Sequence, residues 1–293
     1  MRVLWTAGLG VFLVGFALQE VFRDLFHPTM TGTLSDYMGR AIFRLFRRSR
    51  SSLSLAGPLA LIVVIVGWAL LLGVGFALIY WSDFPDGFQS PAGSAPEAGH
   101  AFWRMVSFSF EAMTTLGAAD LIPKADWLRI LMPFEALIGF ALVTASVSWI
   151  VLLYPALARM RTLARRAWIL ARAERKTGVE FVSAGVEYLL EDLALAVVRT
   201  RVDFIHFPII YYFHAEHRQS SLAEAVSHLA RFAAIGSQPE CPARVRVAAW
   251  TLRTALDDLA SVLAKRFVRA ESNEPDAVFR AYAKDHVTRT LEL

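Results

Sequence analysis

The stretch AFWRMVSFSFEAMTTLGAADLIP, residues 101–123, decides the fold because it separates two long apolar segments. Those segments, about residues 56–81 and 130–157, are each long enough to cross about 30 Å of hydrocarbon as a helix. Residues 102–113 have an aromatic-rich helical pattern that is too short to cross it. A short helix between two spans that end on the same side predicts a re-entrant helix. The return loop that follows, residues 114–123, should line protein or a water-filled cavity.

The composition of the chain indicates a membrane protein. Of its 293 residues, 56% are apolar and 19% are charged, and the mean hydropathy is +0.44. Soluble domains carry about a quarter charged residues, so a purely soluble globular enzyme is disfavoured. No charged side chain occurs between Ser51 and Ser82. The single cysteine, Cys241, cannot form a disulfide within the chain and supplies no cysteine-based metal site.

A further apolar segment runs from Val3 to about Leu18, close to the start of the chain. Arg2 and a short apolar core are also typical of a signal peptide. No small-x-small cleavage site follows, because the segment continues into a charged run that begins at Glu20. The pattern therefore favours an uncleaved N-terminal transmembrane helix over residues 1–27.

The distribution of lysine and arginine predicts the orientation of the three spans. Residues 28–54 form a basic linker with five arginines in residues 40–50, and a second basic cluster occupies residues 159–176. The loop of residues 82–100 contains no lysine or arginine. Since basic flanks stay in the cytoplasm, the N-terminus is predicted outside and residues 158–293 inside. The arginine clusters flank apolar segments, so they favour lipid headgroups as partners and not nucleic acid.

The C-terminal part, residues 158–293, is predicted to be a helical domain. Its alanine, leucine, valine, arginine and glutamate residues have helical spacing, with breaks at segments that contain glycine or proline. Helices are expected at Val179–Val202, Leu222–Ala234, Ala243–Lys265 and Ala277–Arg289. The sequence contains no strand followed by Gly-x-Gly-x-x-Gly and no catalytic motif. Neither a dinucleotide-binding domain nor an enzyme is therefore predicted.

One aromatic stretch in this domain, Asp203–Arg218, contains two histidines three residues apart, His214 and His217. Neutral imidazoles bind Zn²⁺, so the two side chains are weak candidates for a metal site. No cysteine joins them, and histidines among aromatic residues more often pack in a core. The favoured interpretation is a buried core or an interfacial patch that binds no metal.

The loop of residues 114–123 carries the motif Thr-Thr-Leu-Gly-x-x-Asp, with an acidic residue before it and a proline after it. In its order of outer helix, re-entrant helix, loop and inner helix, the chain resembles the pore domain of the potassium-channel superfamily. The matching residues are Glu111, Thr114, Thr115, Leu116, Gly117, Asp120 and Pro123. The resemblance to bacterial members of this superfamily implies a protein of the bacterial inner membrane.

The resemblance implies an all-α membrane protein with a potassium-channel-type pore domain at residues 55–157. An extra N-terminal transmembrane helix precedes this domain, and a cytoplasmic helical domain follows it. Within the pore domain, the outer helix, the extracellular loop, the pore helix with its filter, and the inner helix would occupy residues 56–81, 82–100, 101–123 and 130–157.

In this superfamily, backbone carbonyls of several chains replace the water shell of K⁺, one ring per residue. The resemblance implies that Thr115, Leu116 and Gly117 supply these carbonyls in a homotetramer that holds K⁺ ions and needs no other cofactor. Stacking successive carbonyls toward one axis needs backbone dihedrals that alternate in hand, which favours glycine. Thr114 would support the loop, and Asp120 at the outer mouth would raise the local concentration of cations.

Two positions depart from the superfamily's signature. Ala118 stands where an aromatic residue packs against the pore helix, and Ala119 stands where a second glycine is expected. A left-handed alanine costs about 1–2 kcal/mol, so the outer filter would be wider, differently folded or unstable. Selectivity for K⁺ over Na⁺ is expected to be weakened. The alternative is a non-conducting sensor or accessory subunit, or a subunit that conducts only in a heteromer with a partner that has a full filter.

Three acidic residues in the pore domain are candidates for support of the filter. Glu111 matches a superfamily position whose carboxyl lies behind the filter, so Glu111 and Asp120 would share a proton. An independent, solvated Asp120 is the alternative. Glu135, inside the third span, is either a functional acid or a structural partner of Arg129 or Arg104, and the structural pairing is favoured.

The inner helix supplies the candidates for the cavity and the gate. Gly139 is either a hinge or a close-packing site, and Pro155 is expected to mark the cytoplasmic end of the helix. The further candidates are Val143, Thr144, Ser146, Val147 and Tyr154. An unidentified gating ligand or partner would act on the cytoplasmic domain, residues 158–293.

Overall fold

The computed structural model describes residues 2–26, 33–48, 53–90, 99–117, 120–178, 185–215 and 217–286. Within these ranges the chain is almost entirely helical, as the sequence pattern predicts. It divides into two compact units. The pore unit comprises Met1–Met38 and Leu61–Val151, and the second unit comprises Gly39–Ala60 and Leu152–Leu293.

Among the described residues, three helices are long and apolar enough to cross a membrane. They are α1 (Arg2–Phe26), α3 (Leu53–Ser82) and α5 (Asp126–Thr177), with α2 (Thr33–Arg48) between the first two. The short helix α4 (Ala101–Met113) lies between α3 and α5, at the position predicted for the re-entrant helix. The bounds of α3 and α4 are close to those that the apolar pattern predicts.

α1 packs on α3 through two glycines. A Cβ atom added to Gly10 would lie 2.5 Å from the carbonyl oxygen of Gly75, and one added to Gly75 would lie 2.8 Å from Val14 Cγ2. Close backbone approach at small residues is how helices associate in lipid, where no hydrophobic force drives them together. The N-terminal helix therefore packs against the outer helix of its own chain.

The basic linker predicted at residues 28–54 contains the helix α2. The buried Glu20, near the end of α1, accepts a hydrogen bond of 2.7 Å from the backbone N–H of Leu34. This bond satisfies one of the free N–H groups in the first turn of α2, where a negative charge is also favoured by the helix dipole. The linker is thus partly helical, which its arginine content alone does not indicate.

A two-stranded ribbon holds the segment that follows the filter loop. The strands are β1 (Phe88–Gln89) and β2 (Ile122–Pro123), which pair antiparallel. The ring of Phe88 also packs edge-on against Phe108 of α4, with centroids 5.2 Å apart. The end of the loop is therefore fastened to the residues that follow the outer helix.

α5 continues unbroken for 52 residues, through Pro155, to Thr177. The expectation that Pro155 marks the end of the inner helix is therefore wrong. A proline removes a single backbone donor, and apolar helices tolerate it where the freed carbonyl finds another partner. The change from apolar to basic composition near residue 158 marks a change of surroundings and not the end of the helix.

In its described residues, the second unit contains four further helices and two short 3₁₀ turns. The helices are α6 (Val186–His206), α7 (Leu222–Gly236), α8 (Ala243–Arg266) and α9 (Pro275–His286), and the turns are Pro208–Tyr212 and Arg218–Ser220. The predicted helices near residues 222, 243 and 277 are present, with small shifts of their described ends; the end predicted for the last one, at residue 289, lies outside the described residues. The start predicted for α6, at residues 179–184, lies outside the described residues.

Two arginines that the sequence assigns to lipid headgroups instead bind carboxylates within this unit. Arg159 of α5 donates two hydrogen bonds, of 2.9 and 2.6 Å, to Asp203 of α6. Arg166 donates one of 2.5 Å to Asp192, also of α6. These pairs fasten the C-terminal part of α5 to α6 within the unit.

The aromatic segment, residues 207–214, forms part of the core of the second unit. All side chains from Ile209 to His214 are buried. Tyr212 fills the space above Gly39, where an added Cβ would lie 2.5 Å from its ring. Phe213 occupies the same kind of notch at Gly57, where the added Cβ would lie 2.4 Å from its Cγ. The structure thus places this segment in a core, one of the two locations that the sequence favours.

Candidate functional site

The pore helix α4 fits closely against α3 and α5, and two glycines permit this. A Cβ added to Gly73 of α3 would lie 2.6 Å from the ring of Phe110, and one added to Gly139 of α5 would lie 2.1 Å from the carbonyl oxygen of Met113. The contact at Gly139 involves backbone, which cannot move aside as a side chain can. Of the two interpretations of Gly139, the structure supports close packing.

α4 ends in a Schellman motif. The N–H of Leu116 donates to the carbonyl of Glu111 at 3.0 Å, and the N–H of Thr115 donates to that of Ala112 at 3.1 Å. Thr115 occupies the position that this motif usually gives to glycine, and its φ of 60° is left-handed. Gly117 is left-handed too, with φ of 84°, while Leu116 between them has negative φ. The backbone therefore alternates in hand from residue 115 to 117.

This filter loop, residues 114–117, is exposed in the single chain. The side chain of Leu116 is 79% exposed, and an atom added at Gly117 would have no neighbour within 4 Å. Leu116 therefore leaves apolar surface uncovered by its own chain. Asp120, after the loop, is also exposed. Ala118 and Ala119 lie outside the described residues.

The residues after the loop are held by contacts that the sequence analysis did not identify. The N–H of Lys124 donates to the carbonyl of Gly87 at 2.7 Å, and Trp127 Nε1 donates to Asp83 Oδ2 at 3.2 Å. The signal for this arrangement was the turn sequence Pro85-Asp86-Gly87 in front of β1. The loop is therefore anchored at both ends.

The structure does not bring the two acids of the filter together. Glu111 is partly exposed and accepts a hydrogen bond of 2.9 Å from Ser107, one turn earlier on α4. Within the described residues, Asp120 has no hydrogen bond to Glu111. The proton that these two carboxyls were expected to share thus has no geometric support in the single chain. Thr114, the other supporting residue, caps α4 by donating to the carbonyl of Phe110 at 2.7 Å.

Glu135 is fully buried and has partners that differ from those expected. Its Oε2 accepts a hydrogen bond of 2.6 Å from the hydroxyl of Tyr80, and its Oε1 lies 2.5 Å from the hydroxyl of Ser109. Arg129 instead donates to the carbonyl of Pro123. The preferred prediction of an arginine partner for Glu135 is therefore wrong. Glu135 faces α3 and α4, and so it meets their hydroxyl groups.

The inner helix has one exposed face and one buried face, and the cavity candidates divide between them. Val143, Thr144, Val147 and Tyr154 are exposed in the single chain. Ser146 is 6% exposed and lies on the buried face, as does Gly139. Ser146 is only three residues from the exposed Val143, but its side chain is covered by its own chain, so the single chain gives no support to the prediction that Ser146 lines the cavity.

The two histidines considered for a metal site lie in different surroundings. His214 is buried and stacks on His286, with ring centroids 4.6 Å apart, whereas His217 is exposed. Among the described residues, no group of three or more metal-binding side chains is close enough to hold an ion. Burial lowers the pKa of His214, and burial together with the nearby His214 lowers that of His286 to about 3. Both rings are therefore neutral and act as core side chains.

Comparison with known proteins finds one matching family and one related membrane protein among its matches. Residues 61–153 match the family described as ion channel. Over 236 residues the chain is 26% identical to an uncharacterized membrane protein, YdjJ, of Bacillus subtilis (strain 168), an alignment that covers 78% of this chain and 65% of that protein. No solved structure matches the chain significantly. The family match runs from α3 through α4 into α5, so the chain is an integral membrane protein in which this segment is similar to an ion-channel pore domain.

Proposed function

We propose that the ion-channel pore domain at residues 61–153 assembles as a homotetramer that conducts K⁺, with weakened selectivity over Na⁺. The observation that carries this proposal is the backbone of the filter loop. Its alternation in hand at Thr115, Leu116 and Gly117 is what carbonyls stacked along one axis need. The loop is also anchored at both ends while its tip is left exposed.

In this mechanism the chain replaces the water shell of the ion with its own oxygens. The carbonyls of Thr115, Leu116 and Gly117 from four chains would form successive rings, with the Thr115 hydroxyl as a further ligand. The C-terminal end of α4 carries partial negative charge, which favours a cation near the loop. Asp120 would concentrate cations at the outer mouth. No other cofactor is needed.

Oligomerisation follows from the exposed surfaces of the pore unit. One chain supplies one loop, and a ring of carbonyls needs several. Val143, Val147 and Val151 form an exposed apolar stripe on α5, each more than half exposed. In an assembled channel such a stripe would line the cavity or pack on neighbouring chains. A heteromer with a second type of subunit would bury the same stripe.

The orientation in the membrane is also part of the proposal. The arginines of residues 40–50 and 159–176 favour the cytoplasmic side for both segments, which places the N-terminus outside and the C-terminal domain in the cytoplasm. The membrane would be the bacterial inner membrane, with lipid headgroups as partners of the arginine clusters. A gating ligand or partner would act on the cytoplasmic domain.

The test is ion flux through the purified protein in liposomes under separate K⁺ and Na⁺ gradients. Proline fixes φ near about −65°, so Gly117→Pro cannot adopt the observed 84° and should abolish the flux. Gly178→Pro introduces the same conflict at a left-handed glycine outside the pore domain, where φ is 67°, and should leave flux in place. Flux that favours K⁺ and is lost only in Gly117→Pro supports the proposal, and flux that survives in Gly117→Pro contradicts it.

A second candidate function rests on Ala118 and Ala119, which replace an aromatic residue and a glycine of the superfamily's filter. The chain would then be a non-conducting sensor or an accessory subunit on a pore scaffold. The same experiment separates the two functions. Equal K⁺ and Na⁺ flux would keep the channel without its selectivity, whereas no flux under either gradient would favour the accessory subunit.

A further inference from the structure

A buried hydrogen-bonded cluster joins the three helices of the pore domain behind the filter loop. Tyr80 of α3, Ser109 of α4 and Glu135 of α5 are each 0% exposed. The Tyr80 hydroxyl lies 2.6 Å from Glu135 Oε2, and the Ser109 hydroxyl lies 2.5 Å from Glu135 Oε1. The Ser109 hydroxyl is also 2.8 Å from the carbonyl oxygen of Gly73 of α3. One chain of short contacts therefore connects all three helices.

The number of protons available decides the charge of this cluster. A serine hydroxyl has one proton to donate, and Ser109 has two neighbouring oxygens that can accept it. A carbonyl oxygen and an ionised carboxylate can only accept. If Glu135 were ionised, it would accept the single hydrogen bond that the Ser109 hydroxyl can donate. The oxygens of Ser109 and Gly73 would then face each other at 2.8 Å with no hydrogen between them.

A protonated Glu135 removes this conflict. Its own proton is then donated from Oε1 to Ser109, and Ser109 donates to the carbonyl of Gly73. Tyr80 still donates to Oε2. Every short contact in the cluster then contains one hydrogen, and every donor is used.

The surroundings of Glu135 favour the same state. Both of its carboxyl oxygens are engaged by hydroxyl groups, and neither hydroxyl carries a positive charge. An ionised acid in the interior of a membrane protein is costly unless a cation neutralises it. We propose that Glu135 is an uncharged carboxylic acid, and that it positions the pore helix by donating to Ser109 and accepting from Tyr80.

The consequence concerns the geometry of the filter loop. Ser109 lies near the middle of α4, five residues before Thr114, at which the loop begins. Fixing Ser109 to both α3 and α5 fixes the rotation of α4, and with it the direction of the carbonyls that follow. Glu135 is thus a positioning residue. Its effect on ion selectivity rests on the proposed channel function, whereas its protonation state does not.

The protonation state is tested by infrared spectroscopy of the purified full-length protein in detergent. At neutral pH, wild type should show the C=O stretching band of a carboxylic acid, and Glu135→Gln should lack it. Asp126→Asn provides the matched control, because the Asp126 side chain lies on the same helix and is 96% exposed. It should leave the band in place. A wild-type spectrum without the band, or a band that survives in Glu135→Gln, would overturn the proposal.

The positioning role is tested by the ratio of K⁺ to Na⁺ flux in liposomes. A glutamine amide can donate to Ser109 and accept from Tyr80 as the neutral acid does, so Glu135→Gln should keep the wild-type ratio. Glu135→Ala removes both contacts and should lower the ratio. A folded Glu135→Gln protein with a ratio as low as that of Glu135→Ala would contradict the positioning role. If wild type conducts no ions, the proposed channel function fails, and the infrared result still decides the charge of Glu135.

Discussion

Two short segments, each following the end of an α-helix, are built in opposite ways. The filter loop, residues 114–117, follows α4 in the pore unit, and the aromatic segment, residues 207–214, follows α6 in the second unit. Leu116 of the loop is 79% exposed. In the aromatic segment all side chains from Ile209 to His214 are buried, and two of its rings occupy glycine notches.

The difference shows which parts of the molecule one chain completes by itself. Apolar side chains that leave water stabilise a segment, and the aromatic segment obtains this stabilisation within its own unit. The filter loop instead obtains a fixed backbone from the Schellman motif and the ribbon, and leaves its tip uncovered. Under the proposed function, further copies of the chain would supply the contacts that cover this tip.

The largest expected effect comes from filling a notch of the aromatic segment. In Gly57→Leu the new Cβ would lie 2.4 Å from Phe213 Cγ, so the ring must leave its position. Overpacking of this kind costs about 3 kcal/mol at the upper end of its usual range. Thermal and denaturant unfolding in detergent, followed by the near-ultraviolet signal of the aromatic residues, should show the loss.

The control for this variant is Gly8→Leu, in another apolar helix. A Cβ at Gly8 would have no neighbour within 4 Å, so leucine should be tolerated there and should even improve the helix. Equal stability of the two variants would mean that Phe213 is not held against Gly57, and that the aromatic segment is as open as the filter loop.

The sequence predicted the helices of the pore domain more accurately than it predicted the buried contacts between them. The length of the apolar run predicts α3 closely, because a membrane span must cover a fixed thickness, and the aromatic-rich helical pattern predicts α4. The end of α5 was wrong, since Pro155 and the basic residues after it change the surroundings without breaking the helix. The sequence pattern places Val143 and Ser146 on the same inner helix. Only the packing of that helix decides that Val143 is exposed and Ser146 is buried.

The candidate site shows the same division. The family resemblance of residues 114–117 implies a loop here with glycine at a left-handed position, as at Gly117, but the sequence carries no signal for the left-handed conformation of Thr115. The partners of Glu135 could not be predicted, since Tyr80 and Ser109 are distant from it along the chain. Ordinary hydroxyl residues carry no signal of such a contact.

A medium effect on the free energy of unfolding is expected when the pH of the solution is lowered, because of buried histidines at the aromatic segment. Burial lowers the pKa of His214 and of its stacking partner His286, the latter to about 3, so both are neutral in the folded protein. In the unfolded chain, histidine binds a proton below about pH 6.5. The unfolded state then holds more protons, and stability falls as the pH drops below this value. The loss is at most about 1.4 kcal/mol per pH unit for each proton.

The contribution of one ring is measured with His214→Phe. Phenylalanine preserves the stacking on Phe43 and His286 but cannot bind a proton, so free energies of unfolding between pH 7 and pH 5 should depend less on pH. Asp285 and Tyr211, which hydrogen-bond beside these rings, are retained in the variant. His217→Phe, at an exposed histidine, should keep the wild-type slope. If the free energy of unfolding depended on pH equally in all three proteins, burial in the aromatic segment would not keep His214 neutral.

The smallest expected effect lies in the filter loop and has opposite consequences for stability and conduction. Thr115 is left-handed, with φ of 60°, which costs a β-branched residue about 1–2 kcal/mol. Thr115→Gly removes this strain but adds about 0.5–1 kcal/mol of backbone entropy loss on folding. The free energy of unfolding should therefore change by about 0 to 1.5 kcal/mol in the stabilising direction. If the Thr115 hydroxyl contacts ions as proposed, K⁺ flux should fall in the same variant.

Thr114→Gly provides the comparison that gives this small change its meaning. Thr114 has a φ of −88°, so glycine relieves no strain there and removes the hydroxyl contact to the carbonyl of Phe110. It should lower stability, whereas Thr115→Gly should not. Equal destabilisation by the two variants would contradict the left-handed conformation at Thr115. Backbone strain persists only where the surrounding structure imposes it. Without strain at Thr115, the loop would lose the main physical argument for its role in binding ions.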